Sequence, residues 1–169
     1  MTRDAQRSKV YDAETVVRTV FDRADEHGVR SLEVMGSHIT LPVERRFASI
    51  ESVQTYCDQV LALNWVRAQW DVAPITVRAR VGPNAAHYEI DTATLAVPLH
   101  VSGKAWALRE LVVLHELAHH LQPEGDFAPH GPEFVERHLE LIDEIVGGEA
   151  AFLMRTTMLD CGVQCAPRR

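Results

Sequence analysis

Hydrophobic residues recur at helical spacing in two segments of the first third of the chain. In residues 13–27 the apolar positions lie three and four apart, which predicts a helix that Asp12 caps and Gly28 ends. Ser49 precedes a second segment of this kind, where its hydroxyl can accept a hydrogen bond from the first helical turn. Between the two helices, the pattern around Ile39 fits a short strand.

The pattern changes to alternation in the middle of the chain. In residues 75–81 apolar side chains alternate with threonine and arginine, which predicts a strand with one buried and one solvated face. Residues 86–90 and 94–99 fit two further strands. Because a proline cannot donate a hydrogen bond to a neighbouring strand, Pro98 predicts that the last strand lies at an edge of the sheet.

The last third of the chain returns to helical spacing. Three helices are predicted, at roughly residues 104–121, 132–146 and 149–160. The order of helices, small sheet and helices indicates an α+β fold, with a mostly antiparallel sheet and flanking helices. A length of 169 residues suits a single domain that spans residues 1–169.

Composition and charge exclude several classes of function. Hydrophobic residues make up 46% of the chain, which suffices for one globular core, and no apolar run approaches the length that spans a bilayer. The net charge of −7 makes nucleic acid an unfavourable partner, because phosphate binding requires clustered Lys and Arg. Three cysteines and a polar start without a signal-peptide pattern lead us to expect a cytoplasmic protein.

The candidate chemistry lies in the helix predicted over 104–121, which contains the sequence His-Glu-Leu-Ala-His. His115 and His119 are four residues apart and therefore project from one face of the helix, where two imidazoles can bind one Zn²⁺. Glu116 lies roughly 100° further round the helix, where its carboxylate can take a proton from a zinc-bound water without binding the metal. This is the H-E-x-x-H pattern of zinc peptidases.

The setting of the motif favours this interpretation over surface histidines on an ordinary helix. An apolar stripe runs beside the two histidines, at Leu111, Leu114, Ala118 and Leu121. A metal site at the border between core and cleft would receive rigid support from such a stripe. His120 points away from the pair and is excluded as a ligand of the same zinc.

A catalytic zinc needs a third protein ligand from outside this helix. Residues 122–131 form a turn-rich loop, and Pro132 suits the first position of the next helix. His130 is therefore our choice as the third ligand, since the loop can carry it back toward the pair. The other candidates for the third ligand lie on the next helix and are Glu133, Glu136, His138 and Glu140. His138 could instead donate a hydrogen bond to a transition state, or it could be an ordinary half-buried helix histidine.

The motif and the segment His-Gly-Pro-Glu-Phe at residues 130–134 resemble the H-E-x-x-H … H-G-x-x-F/W pattern of SprT-like zinc metalloproteases. They also resemble a group of small actinobacterial metallohydrolases. The resemblance covers residues 86–140 and implies a minimal zincin-like domain. It implies His115, His119 and His130 as ligands and Glu116 as the general base. It further implies that a peptide substrate adds as a strand along the sheet edge formed by residues 94–99.

The chain departs from that family in two respects. Cys161 and Cys165 cannot form the four-cysteine zinc ribbon that SprT-like proteins often carry, and we expect them to be free thiols. The acidic charge argues against the cleavage of DNA-bound proteins. The longer metzincin pattern also fails, because Gln122 and Gly125 occupy the positions of its glycine and its third histidine.

Three further residues lie in or beside the predicted strands. His87, Tyr88 and His100 could line the cleft, and Tyr88 could stabilise an oxyanion or pack as an ordinary core aromatic.

Two functions from different classes remain open at this point. The first is a zinc hydrolase that cleaves peptide or other amide bonds, with a peptide or protein as its substrate. The second is a non-catalytic zinc-binding domain that serves protein interactions. Only the first needs Glu116, because a structural zinc has a closed ligand set and no water to activate.

Overall fold

The computed structural model describes residues 2–82, 85–98 and 108–166, and these form helices and two small sheets in an α+β fold. None of the described helices is long and apolar enough to cross a membrane. In chain order the elements are α1 (Arg7–His27), β1 (Ser31–Val34), β2 (Ser37–Thr40), α2 (Ile50–Leu61), α3 (Asn64–Gln69), β3 (Thr76–Arg80), β4 (His87–Glu89), β5 (Thr94–Pro98), α4 (Glu110–His120), α5 (Pro132–Ile145) and α6 (Gly148–Asp160).

The elements group into two compact units. Unit 1 comprises Met1–Glu44 and Gly125–Arg169, and unit 2 comprises Arg45–Glu124. Unit 1 holds α1, the antiparallel hairpin β1–β2, α5 and α6, with α6 packed against both α1 and α5. Unit 2 holds α2, α3, the three-stranded sheet and α4.

Helix α1 begins earlier than its sequence pattern predicted. It starts at Arg7, so Asp12 lies inside the helix, and Gln6 precedes the first turn without a side-chain cap. The reason is burial, because Val10 is fully buried two turns before Val17, and helical structure is needed to place it there. The helix ends as predicted at Gly28, which adopts the left-handed conformation with φ +65° that favours glycine.

The start of α2 confirms the cap predicted at Ser49. The Ser49 hydroxyl accepts a hydrogen bond from the backbone N–H of Ser52, and the Ser52 hydroxyl lies 3.1 Å from the Ser49 nitrogen, which completes a capping box. Helix α2 packs against β3 and buries Val53 and Val60 within unit 2.

The prediction that residues 94–99 form a sheet edge is wrong. The sheet order is β3–β5–β4, so β5 lies in the centre, parallel to β3 and antiparallel to β4. All five residues of β5 are buried, as expected for a strand with a neighbour on each side. Pro98 is tolerated because the β4 ladder extends only from Glu89 to His87, opposite Thr94 to Ala96, and stops before the proline.

Helix α4 is anchored at its first turn by the chain that precedes α2. Arg46 and Arg109 form an antiparallel bridge, and the Phe47 N–H donates to the Leu108 carbonyl. The carboxylate of Glu110 is 1% exposed and accepts hydrogen bonds from the Tyr56 hydroxyl at 2.7 Å and from the Arg45 guanidinium at 2.6 Å. Residues 104–107 of the predicted helix lie outside the described residues, as does His100.

We expect Tyr56→Phe to lower the free energy of unfolding by about 1.5–3 kcal/mol, the usual contribution of a hydrogen bond to a charged group. Burial and the Glu110 carboxylate both raise the pKa of Tyr56, so the hydroxyl keeps its proton and remains a donor. Tyr88→Phe is the matched control, since its hydroxyl bonds a neutral imidazole and should contribute about 0.5–1.5 kcal/mol. Urea unfolding measures both losses, and equal losses would contradict the anchoring of α4 through Glu110.

Candidate metal centre

Helix α4 presents its motif from a buried position. The predicted apolar stripe is confirmed, since Leu111, Leu114, Ala118 and Leu121 are all at most 3% exposed. The opposite side of the helix is also buried, at Val112 and Val113, which the amphipathic pattern did not predict. The helix therefore has little freedom to tilt, and the side chains of the motif are held in fixed directions.

His115 and His119 converge on one point, as their spacing predicts. Their Nε2 atoms are 3.2 Å apart and their ring centroids 5.0 Å apart. Two nitrogens bound to one tetrahedral zinc at about 2.0–2.1 Å would lie about 3.3–3.4 Å from each other. The observed separation fits two ligands of a single zinc ion, with one ring buried and the other half-buried.

Glu116 follows the first histidine and is only 4% exposed. A carboxylate is seldom buried to this extent unless polar contacts or a cation compensate for its lost hydration. The helix places Glu116 in the same turn as His115 but in a different direction from the line of the two imidazoles. This direction is compatible with a proton acceptor that does not itself bind a metal.

His120 makes contacts of its own, away from the histidine pair. Its Nε2 lies 2.8 Å from the carbonyl oxygen of Ala73, so this nitrogen carries the proton and donates it. Its Nδ1 therefore accepts from the Tyr88 hydroxyl, at 2.8 Å. Burial lowers the pKa of His120, an effect that the bond to Ala73 partly offsets. These contacts agree with the exclusion of His120 from the ligand set.

Strand β4 carries two of the residues that were considered for the cleft. His87 Nδ1 accepts from the Arg80 guanidinium at 2.8 Å, and His87 Nε2 lies 3.3 Å from a carboxylate oxygen of Glu89. The Tyr88 hydroxyl donates a hydrogen bond to His120, and burial raises the pKa of this hydroxyl. These contacts of both side chains lie within the sheet and α4, and a role in lining the cleft stays a prediction.

His130 belongs to unit 1, where it is 4% exposed. Its Nδ1 lies 2.8 Å from Oδ2 of Asp4, and its ring centroid lies 5.3 Å from that of Tyr11 and 5.0 Å from that of Phe134. The turn that carries it is tight, because the Gly131 N–H donates to the Ala128 carbonyl, and a Cβ at Gly131 would lie 3.2 Å from that same oxygen. Helix α5 then begins at Pro132, as predicted.

The four other candidate ligands on α5 differ in how deeply they are buried and in which residues they contact. Glu136 is paired with Arg155 of α6 at 2.6 Å, and Glu133 is exposed. Glu140 is half-buried. His138 is fully buried, which is more burial than the half-buried helix histidine that the sequence led us to expect. Its Nδ1 lies 3.5 Å from Oε1 of the buried Glu14.

Two acidic residues near these histidines were missed by sequence reasoning. Asp4 precedes the first helix in a polar stretch with no pattern that singles it out. Glu14 lies in α1, where burial raises its pKa and the nearby His138 opposes that rise. The one available signal was that Glu14 falls among the apolar positions of α1, between Val10 and Val17, where a charged residue is unusual.

Cys161 and Cys165 are free thiols, as expected, and Cys57 is a free thiol as well. Burial raises the pKa of Cys57 to about 12, which keeps this thiol protonated and unreactive at neutral pH. Cys161 and Cys165 are half-buried near the end of α6, and burial also raises the pKa of Cys165.

Comparison with protein-family models, curated proteins and solved structures finds no match to this chain. The likeness to SprT-like metalloproteases therefore rests on the motif residues alone.

Proposed function

We propose that the protein is a zinc-dependent hydrolase that cleaves amide bonds, with peptides or proteins as its substrates. The observation that carries the proposal is the convergence of His115 Nε2 and His119 Nε2 at 3.2 Å on a buried helix, with Glu116 in the same turn. A purely structural zinc has a closed ligand set and needs no base, whereas hydrolysis by a zinc-bound water requires one. The intact Glu116 favours the enzyme over the non-catalytic alternative.

In this proposal His115 and His119 hold Zn²⁺ together with His130 as the third ligand. The third ligand is inferred from the sequence, in which His130 follows His119 by eleven positions and comes directly before Gly131 and the start of α5. Further support comes from within unit 1, where the Asp4 carboxylate lies against Nδ1 of His130. Metal-binding histidines usually donate their second ring N–H to such an acceptor.

When bound, zinc would supply a Lewis acid that makes a water molecule more acidic and polarises the carbonyl group of the scissile bond. The chain itself would supply the proton transfer. Glu116 accepts the proton of the attacking water and can return it to the departing amine, so that one carboxylate serves both halves of the reaction. The burial of Glu116 removes competing water from around this carboxylate and strengthens its electrostatic interactions.

The substrate is expected beside β4 rather than along β5. In the three-stranded sheet, as far as the structure describes it, β3 and β4 are the outer strands, and β4 packs against α4. A peptide that pairs with β4 would gain backbone hydrogen bonds with little dependence on side-chain identity. This mode of binding would resemble the substrate binding of SprT-like proteases.

We also propose that the protein is cytoplasmic.

Metal-dependent hydrolysis of a mixed peptide library tests the function. We expect the zinc-loaded protein to cleave some members, the chelator-treated protein to cleave none, and added zinc to restore cleavage, because the site provides both metal ligands and a base. Mass spectrometry of the library identifies the cleaved bonds. A protein that binds zinc but cleaves neither peptides nor small amides would overturn the hydrolase and favour the non-catalytic domain.

A further inference from the structure

The ring of His130 is held in place by the segment that precedes α1. Asp4 Oδ2 lies 2.8 Å from His130 Nδ1, across 126 positions of the chain, and the Gln6 side-chain amide donates to the His130 carbonyl at 2.8 Å. Tyr11 and Phe134 contact the ring at centroid distances of 5.3 Å and 5.0 Å. Both the backbone and the imidazole of His130 therefore receive contacts from residues distant in sequence.

The contact with Asp4 determines which ring nitrogen can serve a metal. A carboxylate only accepts, so His130 Nδ1 carries the proton and donates it to Oδ2. In this tautomer Nε2 has the lone pair and is the nitrogen that would bind zinc. Asp4 therefore fixes both the orientation of the ring and the identity of the coordinating atom.

Asp4 keeps this contact at a cost. Its second oxygen, Oδ1, is buried and has no hydrogen-bond partner among the described residues. A buried polar atom without a partner is unfavourable, so the arrangement is not explained by stability alone. An unsatisfied buried polar atom calls for an explanation, and a functional contact of the same carboxylate supplies one.

We propose that Asp4 is a positioning residue of the zinc site, which acts on the metal through His130 and without touching it. The inference rests on the proposed function, since it takes His130 as a ligand. The carboxylate orients the imidazole and increases its electron density toward the metal, so its removal weakens zinc binding while the ligands themselves remain.

Zinc affinity, measured by competition with a chromophoric chelator, tests the inference in variants of the full chain. Asp4→Ala loses both the charge and the acceptor and should weaken binding about 10- to 100-fold, the usual effect of losing an outer-shell partner. Asp4→Asn keeps an acceptor oxygen without the charge and should fall between Asp4→Ala and the wild type. Thr2→Ala is the matched control, because Thr2 lies in the same N-terminal segment and its hydroxyl donates to the backbone carbonyl of Asp126; its affinity should equal that of the wild type.

A second readout separates positioning from a merely structural role. If Asp4 and the metal favour each other, zinc must strengthen the docking of residues 2–6 by the same factor by which Asp4 strengthens zinc binding. Zinc should therefore slow amide hydrogen exchange in this segment of the wild type, and less so in Asp4→Ala. Urea unfolding of the metal-free variants measures any general loss of stability.

The outcomes are distinguishable. If the wild type binds no zinc, the proposed function fails; if it binds zinc and His130→Ala binds as tightly, the third-ligand assignment fails. If His130→Ala is weakened but Asp4→Ala binds zinc like the wild type, the positioning role of Asp4 is refuted while the function stands. A lower unfolding midpoint without a change in affinity would also refute it.

Discussion

Glu116→Gln should retain zinc and fold but lose hydrolysis by about 10²- to 10⁴-fold, the contribution usual for a general base. Glutamine has almost the same volume as glutamate and can still hydrogen-bond a water molecule, yet its amide cannot accept the proton. Because Glu116 is only 4% exposed, solvent is poorly placed to replace it as the acceptor. The loss should appear in kcat more than in KM, since the proton is transferred only as the bond is made and broken.

The control for Glu116→Gln is a second buried glutamate of the same helix. Glu110 lies almost two turns earlier and accepts from Tyr56 and Arg45, so Glu110→Gln should affect stability rather than chemistry. Single-turnover assays with the cleaved peptides compare the two variants, and zinc content is measured on the same samples. Wild-type hydrolysis by a zinc-loaded Glu116→Gln protein would refute the general base.

His119→Ala should weaken zinc binding far more than Asp4→Ala does, because it removes a direct ligand. Losing an outer-shell residue such as Asp4 usually costs about 10- to 100-fold in affinity. The Nε2 atoms of His115 and His119 are placed for one metal, and without His119 the proposed site keeps only two of its three protein ligands. His115→Ala should have the same effect on affinity. Metal analysis after purification without added zinc, followed by zinc titration, measures the loss.

His120→Ala is the matched control for the histidine pair. It removes an adjacent imidazole from the same helix turn, but one bonded to Tyr88 and Ala73. We expect this variant to bind about one zinc per chain, as the wild type should. If His120→Ala lost the metal while His119→Ala kept it, the ligand assignment would be wrong.

Sequence patterns predicted those features that depend on local spacing. The helical spacing of His115 and His119 placed their imidazoles together, and Ser49 and Pro132 marked the first turns of α2 and α5. Each depends on contacts within a few residues, which the sequence displays directly. The third ligand, the zinc and the hydrolase activity remain predictions.

Features that depend on distant contacts were not predictable. The central position of β5 depends on which strands pair. Pro98 predicted an edge strand, and this prediction was wrong because the sequence does not show that the β4 ladder ends before the proline. Helix α3 is six residues long, too short for a periodic pattern to appear. Asp4 acquires its partner 126 positions away, and nothing in its local sequence marks it.

The division into units also determines the order in which the chain can fold during synthesis. Unit 2 is continuous from Arg45 to Glu124, so its contacts can form as soon as that stretch has left the ribosome. Unit 1 is completed only by residues from Gly125 onward, and closing the contact between Asp4 and His130 requires a loop of 126 residues. A nascent chain can therefore bring His115 and His119 together before His130 has been synthesised.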